Sequence, residues 1–81
     1  MRIEILYFAA AREAAGLPAE TLEVADGATV EALRATLDAR HPGLSPVSRT
    51  ARFAVGERFA PASQRLAPGD VVALIPPVSG G

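Results

Sequence analysis

Hydrophobic and polar residues alternate at the start of the chain. Ile3, Ile5 and Tyr7 interleave with Arg2, Glu4, Leu6 and Phe8, a period of two that predicts a strand over Ile3 to Phe8. The first set is expected in the core. The second begins charged and ends apolar. Ala9 to Ala15 is alanine-rich and closes on Gly16, which predicts a helical turn with a glycine C-cap. Thr21 to Ala25 reads as a second strand with Leu22 and Val24 on one face, and Asp26-Gly27 as a turn. The period then changes. Thr29 is placed as an N-cap, Glu31 in the first turn, and Val30, Leu33 and Leu37 at i, i+3 and i+7 form the stripe of one amphipathic helix. Pro42-Gly43 stops it, and Leu44 to Thr50 reads as loop. Ala51 to Val55 predicts a third strand ended by Gly56. Glu57 to Leu66 reads as irregular, with a brief strand at Phe59. After the turn Pro68-Gly69-Asp70, the run Val71 to Ile75 is continuously aliphatic, which predicts a central strand buried on much of both faces.

The order is ββαβ(β), with the last strand central and parallel to the first because the helix supplies the crossover. That is an α+β fold of the β-grasp, or ubiquitin-like, kind: a mixed sheet with one main helix on one face. The expected division is a β-grasp domain over 1–75 and an extended tail over 76–81.

Composition narrows the function. With 81 residues, one small domain is expected, and 49 % hydrophobic residues suffice for a core. A formal charge of −1 gives no signature of nucleic acid or a membrane surface. No apolar run approaches the ~20 residues of a membrane span and no signal peptide pattern is present, so a cytoplasmic location is expected. The chain contains no cysteine and one histidine, His41, which argues against a thiol nucleophile, a thiolate metal site or a histidine zinc site. His41 itself reads as a charge at a helix end. All eight basic residues are arginine. Without lysine, the chain has no side-chain amine to accept an isopeptide bond.

The tail Pro76-Pro77-Val78-Ser79-Gly80-Gly81 is the most informative segment. Two prolines fix φ and make a stiff, extended root. Two glycines have no side chain to do chemistry, but they let a terminal carboxylate pass into a narrow place. Such an arm is suited to reach into another protein's active site.

Leu6-Tyr7-Phe8-Ala9 with Arg12-Glu13 and Gly16, Thr29-Val30-Glu31-Ala32-Leu33, Leu66 before Gly69-Asp70-Val71-Val72-Ala73, and above all the Pro-Pro-Val-Ser-Gly-Gly end resemble the small subunits of molybdopterin synthase over essentially the whole chain. These are ubiquitin-like sulfur carriers. Thiamine-pathway carriers are similar in fold and in Gly-Gly but typically lack Pro-Pro. One departure is Ala54-Val55-Gly56-Glu57, where that family often has a Val-Asn turn.

The resemblance implies that Gly81 is adenylated by a ubiquitin-activating-like adenylyltransferase that uses ATP and Mg²⁺, while this chain binds no cofactor or metal. A sulfurtransferase would supply sulfur to make a terminal thiocarboxylate. The large subunit, in a 2+2 heterotetramer, would use it to build the dithiolene on a cyclic pterin phosphate. Catalytic side chains are expected on the partner. Phe8, Phe59 and Ile75, with Leu6 beside them, are expected to form an apolar contact patch at the base of the tail. Three alternatives stay open: a carrier for thiamine or tRNA thiolation, a ubiquitin-like protein modifier, and a β-grasp binding module without tail chemistry.

Overall fold

The computed structural model describes residues 1–77; Val78, Ser79, Gly80 and Gly81 lie outside the described residues. Five strands form one sheet. They are β1 (Arg2–Tyr7), β2 (Ala19–Glu23), β3 (Arg52–Val55), β4 (Arg58–Ala60) and β5 (Val71–Ile75), in the spatial order β2-β1-β5-β3-β4. β5 is central, as its sequence predicts. It runs parallel to β1, with Glu4 opposite Val71 and Tyr7 opposite Leu74, and antiparallel to β3. β1 and β2 are antiparallel, as are β3 and β4. The helices are α1 (Ala9–Ala15), α2 (Val30–Arg40) and the short α3 (Ser45–Ser48). The arrangement is the α+β β-grasp.

One face of the sheet closes the core. Ile3, Ile5 and Tyr7 of β1 and Val72 and Leu74 of β5 are buried against Val30, Leu33 and Leu37, the stripe of α2. Thr29 caps α2: its Oγ1 accepts the amide of Ala32 at 3.1 Å. Gly16 closes α1 at φ +82°, a left-handed angle that glycine adopts without penalty.

The structure corrects four expectations. β2 begins two residues earlier than predicted, at Ala19, because Ala19 pairs with Leu6. Leu44 to Thr50 is not a plain loop. Pro42–Leu44 form a 3₁₀ turn and Ser45–Ser48 a helical turn, and Leu44 is fully buried beneath them. The segment after β3 is also more regular than expected: β4 pairs Phe59 with Ala54 through a two-residue hairpin. Gly56 and Glu57 both take positive φ there, +56° and +70°, the signature of a type I′ turn. Finally, β5 is buried on one face only. Val71 is exposed and Ala73 and Ile75 are half-buried.

Candidate functional site: an apolar groove at the root of the tail

The open face of β5 lies in a transverse row of apolar residues. Register places Leu6 beside Ala73, Ala73 beside Ala54, and Ala54 beside Phe59, so the row crosses β1, β5, β3 and β4. The two central residues are alanines and the outer ones are large. Small side chains between large ones make a depression, here a groove of about 340 Å³ with Ala54 and Ala73 in its floor and Leu6, Phe8, Phe59 and Ile75 around it.

The walls are exposed for their type. Phe8 is 47 % and Phe59 56 % accessible, where aromatic side chains normally find cover. Phe8 sits one residue beyond β1 in extended conformation, and its amide donates to the Leu74 carbonyl at 3.2 Å, which prolongs the parallel ladder. Ala9 then turns the chain into α1 with φ +48°, an unusual angle for a residue with a Cβ. The Arg52 guanidinium lies 3.7 Å from the centroid of the Phe59 ring and covers one of its faces. Ile75 ends β5, and the next residue, Pro76, is buried while Pro77 is exposed. The root of the tail is thus seated on the domain next to the groove.

Of the residues named from sequence, Leu6, Phe8, Phe59 and Ile75 come together around this groove, with Pro76 and Pro77 following directly. Val78, Ser79, Gly80 and Gly81 lie outside the described residues.

Sequence reading missed a polar cluster on the other side of the same end of the sheet. Tyr7, opposite Leu74, points inward, and its hydroxyl donates to Glu20 Oε2 at 2.6 Å. His41 Nε2 lies 2.6 Å from the same oxygen, and Arg40 donates to Oε1 from Nε at 3.1 Å and Nη2 at 2.8 Å. Glu20 as a carboxylate only accepts, so the proton between it and His41 belongs on Nε2. The rings of Tyr7 and His41 meet edge-on, 5.8 Å between centroids. Burial acts to raise the Glu20 pKa, but hydrogen bonds from Tyr7, His41 and Arg40 outweigh it, and the carboxyl is held below its ordinary value. Burial and then the Glu20 bond push the Tyr7 phenol far above its usual range. The cluster joins β1, β2 and the C-terminal end of α2. It braces the sheet end from which the tail departs. His41 therefore does more than place a charge near a helix terminus.

No helix among the described residues is long and apolar enough to cross a membrane.

Three comparisons bear on this geometry. The ThiS family model matches residues 5–81. The molybdopterin synthase sulfur carrier subunit of Chlamydomonas reinhardtii is 45 % identical over 83 aligned positions, covering 100 % of both chains. Among solved structures, SAMP1 from Haloferax volcanii superposes with a TM-score of 0.89 at 31 % identity, covering all of both chains. A chain in the complex of subunits 1 and 2 of the molybdopterin-converting factor from Helicobacter pylori superposes with a TM-score of 0.74 at 26 % identity, again covering 100 % of each.

Proposed function

The chain belongs to the ThiS family, and on that premise we propose that it is the sulfur carrier subunit of a molybdopterin synthase. The observation that carries this reading is the junction of the tail with the groove: Ile75 lines the groove and Pro76 is already the first residue of the tail. Relatives named as sulfur carrier subunits of molybdopterin synthase, and the similarity to a chain in a two-subunit molybdopterin-converting complex, support it.

The chemistry follows from the terminus. An α-carboxylate has a pKa of about 3.3–3.7, so Gly81 is ionised at neutral pH and unreactive toward nucleophiles. An activating enzyme joins the carboxylate to the α-phosphate of ATP and releases pyrophosphate. Sulfur at the sulfide level then attacks the acyl carbon and expels AMP. The product is a thiocarboxylate, anionic at neutral pH and nucleophilic at sulfur. In the large subunit the thiocarboxylate sulfur bonds to a carbon of the cyclic pterin phosphate as an oxygen substituent leaves that carbon. Water then cleaves the acyl–sulfur bond, leaving the sulfur on the pterin and returning the carboxylate. Gly80 and Gly81 add no bulk at the acyl carbon. Catalytic side chains and Mg²⁺ belong to the partner proteins.

The folded domain contributes docking and reach. Leu6, Phe8, Phe59 and Ile75 receive an apolar anchor of the partner over the Ala54–Ala73 floor. Four residues follow Pro77, at most roughly 13–14 Å of chain, so the partner's reacting site must lie within that distance of the docked face.

The test is intact mass spectrometry after incubation with the activating enzyme, ATP and a sulfur source. Exchange of one oxygen for sulfur, mapped to Gly81, is expected. The similarity to SAMP1, a small archaeal modifier protein, favours a second reading as a protein modifier. That reading predicts isopeptide conjugates in a lysate and no thiocarboxylate.

A further inference from the structure

A second groove, of about 600 Å³, opens on the helix side of the sheet between α2, the segment after α3, and strands β3 and β4. Its floor is apolar: Val30 and Phe53 are buried and Ala60 is half-buried. Its rim is basic. Arg34, Arg49 and Arg52 line it against a single acid, Glu31. Arg34 is already paired with Glu31 and lies 3.8 Å from Asp38. No carboxylate of the described residues lies within 4.0 Å of Arg49 or Arg52. The chain as a whole carries a formal charge of −1, so Arg49, and Arg52 stacked on the Phe59 ring at the groove's border, are a local segregation of charge.

The groove runs along Phe59, Ala60, Pro61 and Ala62, on the side of the sheet where β4 is the last strand. A free strand edge invites an extended chain. Here the edge strand has only three residues and is followed by Pro61, which has no amide proton, so backbone pairing alone would be short. Side chains must therefore provide most of the hold. Arginine binds carboxylates in a forked, two-point geometry, and Arg49 and Arg52 flank a floor sized for an apolar side chain.

We propose that this groove is a docking site for an extended acidic segment of a partner protein. One apolar side chain rests on Val30, Phe53 and Ala60, and carboxylates on either side engage Arg49 and Arg52. It meets the Leu6–Ala73–Ala54–Phe59 face at Phe59, which lines both grooves and carries the Arg52 guanidinium on its ring. Val30, Arg49, Phe53 and Ala60 do not line that face and belong to the second groove alone. The inference goes beyond the sulfur carrier reading and stands without it.

A ¹⁵N-labelled full chain titrated with a synthetic peptide alternating glutamate with valine tests the proposal. Amide shifts are expected at Arg49, Arg52 and Ala60, weakening as NaCl rises from about 50 to about 500 mM. Arg49→Glu should lower the affinity by about tenfold or more, since one attraction becomes a repulsion, while Phe8→Ala changes it less than about twofold. Arg49→Ala, with no reversed charge, should give an intermediate loss. Four results would overturn the proposal: no shifts at millimolar peptide, shifts confined to Leu6, Ala73 and Ile75, equal binding of a lysine–valine peptide, or the same shifts with inorganic phosphate alone.

Discussion

Truncating Phe59 separates docking from folding. The side chain is 56 % accessible in the free chain. A phenylalanine offers roughly 200 Å² in all, so about 110 Å² remains for a partner to cover. At about 25 cal/mol per Å², covering it stabilises a complex by about 2.8 kcal/mol, a factor of about 100 in Kd. The free chain loses much less. Phe59 sits on the open face of an edge strand, and its one directed contact, with the Arg52 guanidinium, is worth about 0.5–1 kcal/mol at an exposed site. Phe59→Ala should therefore bind the large subunit about 100-fold more weakly while its Tm drops by less than roughly 8 °C. Calorimetric titration against the purified large subunit measures the first quantity and a thermal melt the second. Phe59→Leu should recover most of the affinity, since the contact is apolar area rather than ring geometry. Affinity within about threefold of the parent for Phe59→Ala would refute the assignment of this ring to the docking face.

Other consequences are equally open to measurement. Gly81→Ala should melt like the parent yet accept sulfur poorly, because a methyl group crowds the acyl carbon; unchanged thiocarboxylate yield by mass spectrometry would remove the steric argument. The Glu20 carboxyl is held below its ordinary value of 4.5, so its ionised form favours the fold above that pH, and this contribution fades as pH falls through the depressed folded-state value. Acid unfolding monitored by circular dichroism should then be shallower in Glu20→Gln, which is already destabilised at pH 7; parallel curves would deny Glu20 that role. Glu57 holds φ +70° in the β3–β4 turn, so Glu57→Gly should raise stability by about 0.5–1 kcal/mol, or roughly 2–8 °C in Tm, in a differential scan.

Much of the fold is legible in the sequence because its signals are local. Thr29 followed by Val30, Leu33 and Leu37 specifies a capped helix within nine residues, and Ile3, Ile5 and Tyr7 specify an inward strand face by alternation alone. The open face of β5 is not legible from its own strand, even though Ile75 is expected beside Leu6, Phe8 and Phe59 at the base of the tail. In Val71 to Ile75 both residue sets are apolar, so no alternation marks one face as open, and a partly exposed face reads like a core. Leu44 to Thr50 hides its turns because Pro42 and Pro46 interrupt the pattern and the helical pieces are too short to show a period. The Tyr7–Glu20–Arg40–His41 cluster joins positions up to 34 residues apart in sequence, and nothing local at any of them announces the others. The tail is the opposite case. Its meaning lies in covalent composition, and Pro-Pro with Gly-Gly stands out in the bare order of residues.

The parallel pairing of β1 with β5 gives the fold an order in time. Of the five strands β1 is synthesised before the others, yet its partner on one side is the last of them, with Leu6 waiting for Ala73 and Tyr7 for Leu74. Contacts of such long sequence separation form late, after the intervening chain has closed its loop. Until Ile75 is out of the exit tunnel the sheet has a gap at its centre, the core on one side is unsealed, and the apolar row on the other is broken between Leu6 and Ala54. A chain that lacks β5 therefore has no continuous apolar row. The step that completes the sheet is also the step that joins the apolar row of Leu6, Ala73, Ala54 and Phe59.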